Sequence, residues 1–101
     1  MKIIKHLAKD IREELHDAEK YIKAALTNKT EYPGAADMFY RLANEEVDHA
    51  MRLHGEVVKL IEKTSRETNT PPVMKEIWTF EHEMIVDDMA EVKRLIEMYK
   101  V

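Results

Sequence analysis

Phe39-Tyr40-Arg41-Leu42-Ala43-Asn44-Glu45-Glu46-Val47-Asp48-His49-Ala50-Met51-Arg52-Leu53 decides how this chain folds. Steps of three and four residues join Phe39, Leu42, Glu46, His49 and Leu53, and the series continues through Val57 and Leu60. That spacing is the inward register of a helix packed in a bundle. An acid and an imidazole therefore stand at consecutive inward positions, with apolar residues before and after them. Upstream, Ile4, Leu7, Ile11, Glu14, Ala18, Tyr21 and Ala25 repeat the pattern. Glu14 is expected to point inward too, and all three polar side chains to be buried.

Working outward, Thr27 to Gly34 and Thr64 to Pro72 interrupt the helical periodicity. Asn28 stands where a helix readily stops and Pro33 where the next can begin, while Thr70 can cap and Pro71 can occupy a first turn. Three helices follow, over about residues 2–27, 34–63 and 71–99. At roughly 25 to 30 residues each they would be about 40 Å long. The composition agrees, with only two Gly and three Pro among 101 residues rich in Glu, Lys, Leu, Ala and Met. The fold class is all-α: one domain, an antiparallel hairpin plus a third helix. A core this small gains from association or a bound metal, and a second copy would complete the bundle.

The net charge of −4 comes from intermixed acids and bases, without the basic block that nucleic acid or an anionic membrane surface would require. No apolar run reaches the roughly 18 residues of a membrane span, and the first residues do not read as a secretory signal, so a cytoplasmic protein is expected. With no Cys in the chain, disulfides and thiolate metal sites are excluded, and any metal must be held by oxygen and nitrogen.

A buried, unpaired carboxylate costs several kcal/mol, against a net stability of about 5 to 10 kcal/mol for a domain of this size. Neither inward series offers an Arg or Lys near the acids. A cation is the simpler partner. If two chains met about a twofold axis, four carboxylates would offset two divalent ions.

Glu14 followed by Tyr21, and Ala36-Asp37-Met38-Phe39 leading into Glu46-Val47-Asp48-His49-Ala50, resemble the first helix pair of rubrerythrin-like domains in the ferritin-like superfamily. Diiron sites of that kind take a Glu from each of two helices and a Glu-x-x-His pair from each of the other two. The likeness covers residues 3 to about 62 and supplies half the ligand set, as in the short encapsulated ferritins, whose diiron site forms between subunits. It implies a homodimer or higher homo-oligomer, with two irons at the interface and Mn or Zn as possible substitutes. It further implies Glu14 ligating one metal, Glu46 bridging the pair, His49 terminating it, and Tyr21 hydrogen-bonding a ligating carboxylate. The implied activity is oxidation of Fe(II) by oxygen or peroxide. Rubrerythrin-like proteins often carry a Cys-bound iron domain for which this chain has no residues, and Ile96 to Val101 reads as a helix end without a cargo-type tail.

Plainer readings exist for the same residues. Glu-x-x-His is expected roughly 0.7 times by chance in this composition, and Glu13 and His16 also match it, on a charged face with Lys9, Asp10, Asp17, Lys20 and Lys23. Tyr21 serves equally as core. The last helix allows two inward series, one of His82, Ile85, Met89, Val92, Ile96 and Tyr99, the other of Ile77, Glu81, Met84, Asp88, Glu91 and Leu95. It is expected to pack or to associate, with His82 a lesser candidate for a supplementary ligand. His54 lies on a second stripe with Ala43, Val47, Ala50, Val58 and Ile61, as a packed residue without an assigned role. The seven Met read as core filler, with copper a remote option. The competing function is a helical oligomerisation module with a structural metal site or none.

Overall fold

The computed structural model describes residues 2–66 and 72–101. They form three helices, α1 (Lys2–Asn28), α2 (Pro33–Arg66) and α3 (Pro72–Lys100), with no strand among the described residues. Side-chain amide and hydroxyl groups close α1, where Asn28 donates to the Ala24 carbonyl and Thr27 to that of Lys23. The chain then turns within four residues. The Tyr32 amide donates to the Asn28 carbonyl, and the Tyr32 carbonyl accepts from Ala36 to start α2, with Pro33 at the first helical position, where its missing N–H costs nothing. At 34 residues, α2 runs beyond the expected end at 63. Thr64 satisfies itself on the Leu60 carbonyl, and Lys63 and Arg66 complement the negative end of the helix dipole. Thr70 and Pro71 lie outside the described residues.

Two apolar clusters fix the topology. Ala18, Ile22 and Ala25 of α1 meet Ala36, Ala43 and Val47 of α2 and Val92, Leu95, Ile96 and Tyr99 of α3. Ile4, Ile11 and Leu15 meet Ala50, Val57 and Ile85. The early part of α2 thus lies beside the late parts of α1 and α3, so α2 runs antiparallel to both. The molecule is a rod of 58 × 19 × 17 Å.

The buried stripe of α1 is Ile4, Ala8, Ile11, Leu15, Ala18, Ile22 and Ala25, which corrects the inward series expected above. Ile4, Ile11, Ala18 and Ala25 belong to both. Leu7, Glu14 and Tyr21 are only half-buried, because α1 touches two helices and its core-facing arc is centred between them. Each lies one residue before a buried one, about 100° round the helix, at the edge facing α2. Arg12, which reaches Glu81 of α3 at 3.7 Å, marks the other edge. In α3 the burial of Ile85, Val92, Ile96 and Tyr99 follows the series that begins at His82, with Leu95 of the other series buried beside it.

The far end of α3 is latched to the α1–α2 turn. Lys29 donates to the backbone carbonyls of Tyr99 and Val101 and lies over the Tyr99 ring. The Tyr99 hydroxyl donates to Asp37, and its ring stacks on Tyr40. That hydrogen bond, reinforced by burial, pushes the phenol up to about 12.

Candidate metal centre on the helical hairpin

Glu14, Glu46 and His49 converge. One ligand atom from each lies within 4.8 Å of the others, and His49 Nδ1 is 3.4 Å from Glu14 Oε2 and 3.8 Å from Glu46 Oε2. Helix geometry brings this about: Glu46 and His49 sit one turn apart on one face of α2, where i and i+3 side chains are neighbours, and the antiparallel hairpin sets Glu14 opposite them. Donors about 2.1 Å from one ion are separated by at most about 4.2 Å, so a small rotation of the side chains would close the set.

The expectation of full burial does not hold. The side chains of Glu14, Glu46 and His49 are 29%, 19% and 48% exposed, and no polar or charged residue is buried among the described residues. The reason is geometric: α3 packs on the other side of the hairpin, so only two helices border the triad. One atom is nevertheless shielded. Glu14 Oε2 is out of contact with solvent and accepts no hydrogen bond, and the nearby His49 Nδ1 stands in ion-pair range without donating one. Among the described residues, Glu14 and Glu46 form ion pairs with His49 alone, not with Lys or Arg. An orphaned carboxylate oxygen aimed at a second acid and an imidazole fits a divalent cation.

Half-buried Leu7, Tyr21, Phe39, Leu42, Leu53 and Leu60 extend along the same face. Tyr21 stacks on Phe39 at 6.3 Å, and no described hydrogen bond joins it to Glu14. Glu13 and His16 are exposed and line a charged groove between α1 and α3, in keeping with the wet face expected for them. His82 does not join the triad. Its ring lies 5.4 Å from that of His54, and Trp78 completes a three-ring group. Partial burial, then the neighbouring His82, pulls the His54 pKa below its usual value. The sequence hid this group because α3 had two possible registers.

No helix among the described residues is long and apolar enough to cross a membrane. Neither protein-family models nor curated proteins nor solved structures match this chain.

Proposed function

We propose that this chain is a ferritin-like iron protein of the cytoplasm, which binds Fe(II) through Glu14, Glu46 and His49 and oxidises it where two copies meet. The orphaned Glu14 Oε2 within the three-donor cluster carries this reading. Two copies would bring four carboxylates and two imidazoles together, enough to neutralise two divalent ions. Surface area supports a second copy: the chain exposes 6950 Å², against about 5,900 Å² for a compact monomer of this mass. The difference is comparable to the roughly 800 Å² that each partner buries in a stable pair. The half-buried apolar stripe around the triad is the natural surface to cover.

In this scheme Glu14, Glu46 and His49 of each copy would hold the iron, while Leu7, Leu42 and Leu53 would exclude water. Paired Fe(II) would supply two electrons, reducing oxygen to peroxide, or peroxide to water, with uptake of two protons. The expected result is stoichiometric Fe(II) binding by a dimer or larger assembly, with oxygen or peroxide consumption, abolished in Glu46→Ala and His49→Ala. Unchanged titrations in both variants would end the proposal. The apolar stripe also favours a second reading, an association module with a structural metal or none. In that case self-association persists while added Fe(II), Mn(II) or Zn(II) leaves the melting temperature unmoved.

A further inference from the structure

Turned away from the triad, α2 and α3 enclose an open groove of about 370 Å³ with a different donor set. Met51 and His54 stand one turn apart on α2, and Trp78 and His82 one turn apart on α3, so each helix presents a pair on one face. The rings meet across the groove, with centroid separations of 5.4 Å for His54 and His82, 5.4 Å for Trp78 and His82, and 6.1 Å for His54 and Trp78. Met51 and Met89 contribute thioethers to the lining, and Ile11, Ile85 and Val86 make it apolar. Among the described residues no carboxylate lines it. Among the described residues neither imidazole pairs with an acid, unlike His49 or His6, which is 3.3 Å from Asp10.

We propose that His54 and His82 form a binding site for a soft monovalent cation, Cu(I), with the Met51 thioether as third donor and the Trp78 indole against the ion. Charge and softness select the ion. Neutral nitrogen and sulfur donors in apolar walls do not compensate a hard divalent cation, whereas imidazole and thioether suit Cu(I). Lys93, the charged side chain on the groove, is eleven residues beyond His82, about 16 Å along the axis. Spacing agrees as well. An imidazole nitrogen about 2.0 Å from a metal puts the ring centre about 3.2 Å away, so two rings at a trigonal angle have centres about 5.5 Å apart. The His54 and His82 rings are separated by 5.4 Å and inclined at 29°, so side-chain rotation would turn a nitrogen of each toward one ion. An indole face beside the ion adds cation–π attraction.

The test is an anaerobic titration with Cu(I) against the chromophoric chelator bicinchoninate, following the fluorescence of Trp78, the chain's only tryptophan. The expected result is one equivalent taken from the chelator with quenching in step. Affinity should fall at least 100-fold in His54→Phe and His82→Phe, which keep an aromatic ring but remove the donor, and about tenfold in Met51→Leu. Glu14→Gln and Glu46→Gln should leave it unchanged, which separates this site from the hairpin triad. Copper X-ray absorption of the unaltered protein should show imidazole nitrogens and one sulfur, a readout independent of how the variants fold. Failure of the unaltered protein to compete, a copper shell without two imidazoles, or full affinity in both Phe variants would reduce the ring group to packing.

Discussion

His49 and His54 sit five residues apart on α2, about 140° round the helix, and their neighbours give them different chemistry. His49 faces two carboxylates on the side of the hairpin that α3 leaves open. His54 faces a second imidazole and an indole beneath α3. One is anionic and wet, suited to a divalent ion that brings charge with it. The other is largely apolar, with no carboxylate among its described lining residues, and is suited to an ion of low charge. Residue type alone assigns neither role; the acids do, by their presence on one face and their absence from the other.

The broadest way to break this contrast is through the wall the two regions share. Ile11 is fully buried, lines the α2–α3 groove and lies one turn before Glu14. Ile11→Ala should cost about 2 to 5 kcal/mol in urea unfolding and weaken both sites together. A loss below about 1 kcal/mol would mean that α1 is not their common support. A selective break comes next. Fe(II) at about 100 times its dissociation constant should add about 2.7 kcal/mol to the unaltered protein. Glu46→Leu should lose that gain, yet unfold no more easily than the unaltered chain when metal-free, since removing one of two crowded, partly exposed acids shifts stability by no more than about 1 kcal/mol. A large metal-free loss would make Glu46 a structural residue.

Acid sharpens the difference from the other side. The His54 pKa is depressed in the folded chain below the ordinary 6.5, by partial burial first and by His82 second. Its contribution to stability is therefore complete above pH 6.5 and declines as pH falls through the folded value, because the unfolded chain takes up the proton more readily. The melting temperature should drop between pH 7 and 5, and less so in His54→Phe. An equal drop in that variant would assign the effect elsewhere. Loosening the far end of α3 should have the smallest effect. Lys29→Met or Tyr99→Phe should weaken Cu(I) binding a few-fold and leave Fe(II) titrations unchanged, since the triad is built without α3. Equal loss at both sites would show that the latch supports the hairpin itself.

The three helices and the convergence of Glu14, Glu46 and His49 were readable from periodicity, because a four-residue turn leaves a long hairpin little freedom of register. Depth was not. The α1 sequence contains two overlapping series, and the wholly apolar one, Ile4, Ala8, Ile11, Leu15, Ala18, Ile22 and Ala25, is the buried one. A helix with two neighbours centres its core on the series free of polar residues, and the mixed series becomes its rim. The ring group at His54 was hidden for a related reason: α3 offers two plausible stripes, and only its packing against α1 and α2 chooses between them. Side-chain identity showed which groups could meet on one hairpin, whereas contacts between distant helices required the fold.

The brief turn from Asn28 to Pro33 also sets an order of events as the chain acquires its structure. Contacts between α1 and α2 close over a small loop and should form early, whereas α3 must return across the whole length of α2 before it can dock. The acidic face would then exist on a nascent hairpin before the aromatic groove does. Amide protons of α3 would exchange through openings that leave the hairpin protected, so a chain with α3 transiently released could still present its two glutamates and His49 to metal.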